Sequence, residues 1–373
     1  MRQIGLIIVV LSVLVAWPVE AGNPESQVET IEHKDENANS VMARRVISHQ
    51  GLEREYLVYT PPGDPGSKGF PVVFALHGYT STASGFEAYH GLNRHAKDNR
   101  YQVVYPQGSY FKASSDNAAT YMVTSWNDLA ANRASADTGL HCLAGHAVYP
   151  CPPECDDCGE CGWTSCYDDL GFLRKVLDEV AADAAVDTSR FYLLGVSNGG
   201  MMALTLACEF ADRFAAVAPI IAQLAPGFAC APDVDLPMMH LFSGKDRTVP
   251  FDGLPGSDGY VYTSASETAA VWAESMHCQA APQLWESAES QQAGLRCTAY
   301  SGCTREGDEI VSCLNPDGGH NWPQQRVEGT QATCVTEEQY ESMSLHPRCK
   351  PGAGEYKSDG MSLVWRFFRR FSR

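Results

Sequence analysis

Residues 191–201 read Phe-Tyr-Leu-Leu-Gly-Val-Ser-Asn-Gly-Gly-Met. The residues before Ser197 form an apolar run typical of a buried strand, and an apolar stretch typical of a helix follows. Between them lies a Gly-x-Ser-x-Gly turn, in which Gly195 and Gly199 leave room for neighbouring backbone and Ser197 is held exposed as a nucleophile. The pattern alone also occurs in ordinary turns, so its interpretation depends on a base and an acid elsewhere in the chain.

An acid and a base follow in the order that this chemistry needs. Asp246 comes soon after the apolar run 238–242, and His320 lies in a glycine-rich loop after the last strand region. Ser, Asp, His is the chain order of α/β-hydrolases. We predict that Ser197 is the nucleophile, His320 the general base and then acid, and Asp246 the carboxylate that orients the imidazole. The alternatives are Asp252, Asp233 and Asp235 for the acid, and His240 and His346 for the base.

Backbone amides are expected to stabilise the oxyanion that forms when the serine attacks a carbonyl. The N–H of Asn198 directly follows the nucleophile. The second donor should come from the loop after the strand at 71–76, and we nominate the N–H of Tyr79. His77, in the same loop, is expected to hold the loop by hydrogen bonds rather than to react.

Alternating strand and helix patterns predict the fold class. Apolar runs at 71–76, 103–105, 215–221 and 238–242 indicate buried strands, and helical periodicity occurs at 86–97, 168–180, 201–210 and 267–276. This alternation predicts the α/β class, with a mostly parallel central sheet and helices on both faces. The chain order of Ser, Asp and His predicts an α/β-hydrolase fold within that class. The segment 54–60 is typical of a strand near a sheet edge. A basic amphipathic helix from 360 is expected to pack on the sheet, although such helices can also bind membranes.

The first 43 residues are expected to lie outside a single catalytic domain at 44–373. Residues 1–21 have a short positive start, an apolar core and small residues near Ala21, which together predict a secretory signal peptide; an uncleaved anchor is the alternative. Residues 22–43 are polar and charged, so we expect a mobile leader. Fourteen cysteines suit an oxidising extracellular compartment. The net charge of -18 argues against nucleic acid or a stable membrane association as partner.

Several motifs in order carry a resemblance that extends from about residue 54 to 323 and includes the last helix. Together they are similar to the secreted esterase family that contains poly(3-hydroxybutyrate) depolymerases and feruloyl and acetylxylan esterases. The resemblance implies the same triad, Ser197, Asp246 and His320, and a bridge between Cys208 and Cys230. The motifs are Leu76-His77-Gly78, Ser125-Trp126-Asn127, Asp168-Asp169-Leu170-Gly171-Phe172, Gly195-Val196-Ser197-Asn198-Gly199-Gly200-Met201-Met202, Asp246 with Val249-Pro250, Gly318-Gly319-His320-Asn321-Trp322-Pro323 and Trp365-Arg366-Phe367-Phe368.

The chain departs from that family at three places. Ser243 replaces a common histidine, Tyr79-Thr80-Ser81 replaces the usual residues after His-Gly, and a cysteine-rich insertion spans about 134–167. The insertion follows a strand and precedes a helix, so it can form a wall of the substrate cleft. Its cysteines are expected to form disulfides, with a zinc site at Cys155, Cys158 and Cys161 as the alternative. The remaining cysteines of the insertion are Cys142, Cys151 and Cys166.

Six further cysteines lie toward the carboxyl end. Cys278, Cys297, Cys303 and Cys313 allow two bridges, of which Cys278 to Cys303 is preferred, and Cys334 and Cys349 would close a loop at about 324–357. Trp126 and Trp322 are candidates to line the substrate cleft.

The sequence therefore predicts a secreted serine hydrolase of carboxylic esters that acts through an acyl-enzyme, without metal or cofactor. The expected substrates are polysaccharide-linked esters of the feruloyl type, with plant cell-wall polysaccharide or a polyester as the expected partner. The alternatives are a poly(3-hydroxybutyrate) depolymerase-like polyester hydrolase, a serine peptidase, and an inactive binding protein on the same fold.

Overall fold

The computed structural model describes residues 27–31, 41–114, 120–128, 143, 149–155, 165–224, 231–279, 281–322, 333–334, 349–350 and 359–373. The predicted signal peptide, Cys142, Cys158, Cys161, Cys230 and His346 lie outside the described residues.

Fifteen strands and seven α-helices are described. The strands are β1 (Gln27–Ile31), β2 (Val41–His49), β3 (Leu52–Thr60), β4 (Phe70–Leu76), β5 (Gln102–Pro106), β6 (Ser109–Ser114), β7 (Thr120–Ser125), β8 (Val186–Val196), β9 (Ala216–Ile220), β10 (Met238–Ser243), β11 (Gln283–Trp285), β12 (Arg296–Tyr300), β13 (Ile310–Asn315), β14 (Thr333–Cys334) and β15 (Cys349–Lys350). The helices are α1 (Ala83–His90), α2 (Leu92–Asn99), α3 (Asp169–Ala181), α4 (Asn198–Glu209), α5 (Ala265–Ser275), α6 (Ala288–Gln292) and α7 (Asp359–Phe368).

One large sheet organises the molecule. Its strand order is β1-β2-β3-β5-β4-β8-β9-β10-β13-β12-β11. The six strands from β5 to β13 pair in parallel, and the strands outside them on both sides pair antiparallel. Parallel neighbours need crossover connections, and helices supply these on the two faces. The predicted α/β-hydrolase fold is confirmed.

The helices form a layer on each face of the sheet. On one face α1, α2 and α7 share a core with Val73, Ala75 and Tyr192. On the opposite face α3, α4 and α5 share a core with Phe74 and Leu193. Because successive strand residues point to opposite faces, continuous apolar strands serve both cores at once.

Helix α7 packs on the sheet, as the sequence predicts. The Trp365 ring stacks on Tyr101 with centroids 4.2 Å apart, and Phe368 stacks on Tyr192 at 4.9 Å. Arg366 forms an ion pair with Glu289 on the outer side. Within the described residues, no helix has the length and apolarity that crossing a bilayer requires.

Several predicted boundaries are corrected. The sheet begins before residue 44, because β1 lies within the predicted leader and pairs with β2. Strand β3 is therefore third from the edge, flanked by β2 and β5. The helix predicted at 86–97 is divided in two at Gly91, which adopts φ 61°; only the backbone freedom of glycine makes this break inexpensive. The β6–β7 hairpin was not predicted, since its strands lack a continuous apolar run.

Disulfides join Cys155 to Cys166, Cys278 to Cys303, and Cys297 to Cys313. Cys151 and Cys208 are also disulfide-bonded. The antiparallel register of β14 and β15 places Cys334 opposite Cys349. The bond to Cys166 engages the sulfur of Cys155, so Cys155 is not a thiolate ligand and the zinc alternative loses one of its three ligands.

Candidate active site

Ser197 lies in a sharp turn between β8 and α4. Its backbone has φ 54° and ψ -126°, a conformation that is strained for a residue with a side chain. A Cβ at position 195 would lie 2.1 Å from the Gly199 carbonyl oxygen, and one at position 199 would lie 2.2 Å from that of His77. The two glycines are therefore a steric requirement of the turn that presents the serine.

The structure brings Ser197, His320 and Asp246 together at the carboxyl ends of the parallel strands β8, β13 and β10. His320 Nε2 lies 2.9 Å from Ser197 Oγ, and His320 Nδ1 lies 2.8 Å from Asp246 Oδ2. The other carboxylate oxygen, Asp246 Oδ1, accepts the N–H groups of Thr248 and Val249, both at 2.9 Å. The imidazole can thus accept a proton from Ser197 at one nitrogen while the carboxylate holds the other.

The alternative acids and bases are placed elsewhere. His240 is fully buried on β10 and its Nε2 lies 2.8 Å from the Ala222 carbonyl oxygen, and burial lowers its pKa to about 4. Asp252 accepts the N–H of Leu254 in an exposed turn. Asp233 and Asp235 precede β10, at the end of that strand opposite to Asp246. None of the described alternatives reaches the pair formed by Ser197 and His320.

The two nominated oxyanion donors, Tyr79 and Asn198, belong to the two segments that flank Ser197 and Gly78 in the chain. Gly78, which precedes Tyr79, is so close that a Cβ there would be 3.5 Å from Ser197 Cβ. Asn198 is the first residue of α4, and its side chain is held at both ends: Oδ1 accepts the N–H of Trp126 at 2.8 Å and Nδ2 donates to the Trp126 carbonyl at 3.1 Å. This clamp fixes the start of the helix and hence the direction of the Asn198 N–H.

His77 holds the loop that carries Tyr79. Its Nδ1 donates to the Gly78 carbonyl at 2.8 Å, and its Nε2 accepts the N–H of Gly108 at 2.9 Å. Complete burial lowers the pKa of His77 to about 4, so the ring is neutral and can accept at Nε2. The contacts agree with a structural role for this histidine.

A buried ion pair behind the site was missed by sequence reasoning. Arg54 donates to Asp169 Oδ1 at 2.5 Å, and Asp169 Oδ2 accepts the N–H of Asn127 at 2.7 Å. Both side chains are buried. The pair holds Asn127, and the residue before it, Trp126, makes the two backbone hydrogen bonds to the Asn198 side chain. Asp168 caps α3 by accepting the Gly171 N–H. Two adjacent aspartates in a sequence do not show which of them faces inward.

The two tryptophans expected to line the cleft are interior residues instead. Trp126 is 0% exposed and its Nε1 donates to the His77 carbonyl at 2.8 Å. Trp322 is 4% exposed and packs edge-on against Phe86, with ring centroids 6.3 Å apart. Tryptophan rings fill protein cores as well as line binding clefts. The sequence motif around each tryptophan does not show which of these two roles it has.

No group of three or more potential metal-ligating side chains occurs in the parts of the chain that the structure describes.

Comparison with known proteins identifies several relatives, and no family model matches the chain. NocK of Nocardia uniformis subsp. tsuyamanensis, a protein named as an esterase, is 27% identical over 308 residues, covering 77% of this chain and 75% of that protein. Feruloyl esterase B of Piromyces equi is 24% identical over 72% of this chain and 42% of its own length. Poly(3-hydroxyalkanoate) depolymerase C of Paucimonas lemoignei is 24% identical over 66% of this chain and 50% of its own length. The chain thus spans about half the length of the latter two relatives.

Among solved structures, acetyl xylan esterase from Aspergillus awamori is similar with a TM-score of 0.45 and 16% identity, over 81% of this chain and 96% of that protein. The resemblance drawn from the motifs is confirmed by the sequence relatives. The chain is a homologue of feruloyl esterases and poly(3-hydroxyalkanoate) depolymerases, and the topology of its own sheet is that of the α/β-hydrolase fold.

Proposed function

We propose that this protein is a secreted serine esterase that hydrolyses carboxylic esters through an acyl-enzyme. The observation that carries the proposal is the position of His320, whose two ring nitrogens lie 2.9 Å from Ser197 Oγ and 2.8 Å from Asp246 Oδ2. This geometry is the one required to make a serine hydroxyl a nucleophile near neutral pH.

In the acylation step, Ser197 Oγ attacks the ester carbonyl carbon and its proton passes to His320 Nε2. The C–O bond to the alcohol then breaks, and the imidazolium gives the proton to the leaving alkoxide. Asp246 stabilises the imidazolium and keeps Nδ1 protonated. The N–H groups of Asn198 and Tyr79 donate to the carbonyl oxygen as its negative charge develops.

In the deacylation step, water takes the place of the alcohol. His320 accepts a proton from the water, the resulting hydroxide attacks the acyl carbon, and Ser197 leaves with that proton returned to its Oγ. The products are a carboxylic acid and the free enzyme.

Esters linked to polysaccharides are the substrate class that we propose, with a feruloyl acyl group first among them. Relatives named as feruloyl esterases support this class. The polyester alternative is supported by the relative named as a poly(3-hydroxyalkanoate) depolymerase. An amino terminus with the pattern of a signal peptide and the described disulfides support an extracellular location.

Labelling with a fluorophosphonate tests the nucleophile, because such reagents react covalently with activated serines. We expect one adduct, on the peptide that contains Ser197, together with turnover of p-nitrophenyl acetate. Ser197→Ala should lose the adduct and reduce turnover about 10⁴-fold or more. The matched control is Ser257→Ala, because Ser257 is an exposed serine in a nearby loop. Labelling that persists in Ser197→Ala would refute Ser197 as the nucleophile.

A panel of esters tests the substrate class. Methyl ferulate, acetylated xylan and short 3-hydroxybutyrate oligomers should be compared by kcat/KM, with peptide amides included to examine peptidase activity. Preference for the oligomers would favour the polyester alternative.

A further inference from the structure

The β6–β7 hairpin forms a sheet of its own, separate from the central sheet. Its carboxyl end makes hydrogen bonds with the loop that carries Tyr79 and with the helix that begins at Asn198. Thr124, in β7, and Trp126, which follows the strand, make these contacts, and we call the two residues the β7 brace.

The β7 brace holds the loop on both sides of Tyr79. Before Tyr79, the His77 carbonyl accepts the indole N–H of Trp126 at 2.8 Å. After Tyr79, the N–H of Thr80 donates to the Thr124 carbonyl, also at 2.8 Å. The peptide group that carries the Tyr79 N–H therefore lies between two points that the brace fixes.

The same brace holds the first residue of α4. The Trp126 backbone binds the Asn198 side chain through its N–H at 2.8 Å and its carbonyl at 3.1 Å. Gly199, the next residue of α4, is packed so closely that a Cβ there would lie 2.2 Å from the His77 carbonyl oxygen. That oxygen is the acceptor of the Trp126 indole, so one residue connects the segments of both nominated oxyanion donors.

The buried ion pair of Arg54 and Asp169 supports the chain next to the brace. Asp169 accepts the N–H of Asn127, the residue after Trp126, at 2.7 Å. Arg54 also donates to the Gln107 carbonyl at 3.2 Å, and the side-chain amide of Gln107 donates to the His77 ring at 3.1 Å. The guanidinium thus contacts one segment that holds the brace and another that holds the Tyr79 loop.

The groups of the brace are buried, so their hydrogen bonds are costly to break. Trp126 and Asn198 are 0% exposed and Thr124 is 3% exposed. A buried donor or acceptor that loses its partner costs about 1–3 kcal/mol. Movement of either donor segment away from the brace would leave several such groups without partners, and the two segments are therefore held in one arrangement.

We infer that the β7 brace preorganises the oxyanion hole, with Trp126 and the Asn198 side chain as positioning residues for the two backbone donors. The inference rests on the proposed function and adds residues that act through the Tyr79 and Asn198 N–H groups. Donors fixed in advance stabilise the charge of the transition state without reorganisation during the reaction. Loss of the brace should therefore lower kcat and leave substrate binding nearly unchanged.

Trp126→Phe tests the indole contact, because phenylalanine keeps an aromatic ring and both backbone bonds to Asn198 but has no donor for the His77 carbonyl. We expect kcat for p-nitrophenyl acetate to fall at least tenfold, with KM within about twofold. Acylation and deacylation both pass through an oxyanion, so kcat falls whichever step limits it. Rates are expressed per fluorophosphonate-labelled site, so that unfolded protein does not contribute.

A trifluoromethyl ketone provides the readout that a purely structural role would not change. Ser197 Oγ adds to its carbonyl carbon, the serine proton passes to His320, and the ketone oxygen becomes an oxyanion. The inhibition constant should rise by about the same factor as kcat/KM falls. Asn198→Ala, which removes the other contact of the brace, should show the same parallel change.

Trp272→Phe is the matched control. Trp272 is also 0% exposed and its indole donates to the Leu236 carbonyl at 3.1 Å, at the end of β10 opposite to Asp246. It should lower the melting temperature as Trp126→Phe does, without changing kcat or the inhibition constant.

Wild-type kcat and inhibition constants per labelled site in Trp126→Phe and Asn198→Ala would overturn the inference. The same loss of kcat in Trp272→Phe would also overturn it, because the effect would then follow from the loss of any buried indole. Either result would leave the esterase proposal standing. Absence of ester turnover and of Ser197 labelling in the wild-type protein would instead refute the proposed function.

Discussion

Replacing Asp246 by asparagine is expected to remove nearly all activity while leaving the fold intact. The reason lies in how the two carboxylate oxygens are used. Oδ1 accepts two backbone N–H groups, from Thr248 and Val249, at 2.9 Å each, and Oδ2 faces His320 Nδ1 at 2.8 Å. An asparagine must keep its single oxygen toward the two N–H groups, because the opposite orientation would leave both without an acceptor.

The amide nitrogen of the asparagine would then face His320 Nδ1 and donate to it. The proton of the neutral imidazole would be forced onto Nε2, which could no longer accept the proton of Ser197. A wrong tautomer of this kind costs about 10⁴-fold in kcat in a serine triad, which corresponds to about 5 kcal/mol of transition-state stabilisation.

The free energy of unfolding distinguishes the loss of the correct imidazole tautomer from structural damage to the loop that carries Asp246. Asp246→Asn keeps both backbone hydrogen bonds, so its free energy of unfolding should change by less than about 1 kcal/mol. Asp246→Ala loses two hydrogen bonds to a buried charged acceptor, at roughly 1.5 kcal/mol or more each, so we expect a loss of about 3 kcal/mol.

The assay is steady-state turnover of p-nitrophenyl acetate together with urea denaturation of each variant. Asp252→Asn is the matched control, because Asp252 accepts an N–H in an exposed turn of the same region without contacting His320. A loss of activity below about tenfold in Asp246→Asn, or the same loss in Asp252→Asn, would refute the reasoning.

Three further outcomes are expected. Gly199→Ala should abolish turnover and lower the melting temperature, because its Cβ would lie 2.2 Å from a carbonyl oxygen, whereas Gly319→Ala, with open space around it, should be tolerated in both measurements. Since the folded pKa of His77 is about 4 and the unfolded one about 6.5, the unfolded state binds more protons between these values. The free energy of unfolding should therefore fall on acidification from pH 6.5 to 4, and fall less in His77→Gln; equal slopes in pH-dependent urea titrations would count against this. Replacing both Cys155 and Cys166 by alanine should reduce the free energy of unfolding by about 2–3 kcal/mol, while a chelator should change nothing in the same assay.

The strand pattern around Ser197 predicted much of the architecture because buried parallel strands leave a strong signal. Their side chains point into two helical layers, so each strand is a continuous apolar run. Strand β1 leaves no such signal. It is a short polar segment that pairs with β2, and no local sequence pattern predicts it as a strand.

Residues buried for different reasons look alike in a sequence. Trp126 and Trp322 were expected in the cleft and are in the core, whereas Tyr149 and Asp258 come together from positions more than a hundred residues apart. Arg54 and Asp169 form their buried pair across a similar separation. Contacts of this kind depend on which loops the sheet order places side by side, and that order is a property of the whole chain.

The sequence by itself determined the fold class and the three residues proposed for the triad, because a strand, a glycine-bounded turn and a fixed chain order of Ser, Asp and His are local or sequential features. Only the tertiary structure decided what lies behind Ser197: the clamp on Asn198, the neutral His77, and the buried ion pair of Arg54 and Asp169. These contacts join segments that are remote in the chain. Their distances are set by the packing of the sheet against its helices, and no local sequence pattern determines that packing.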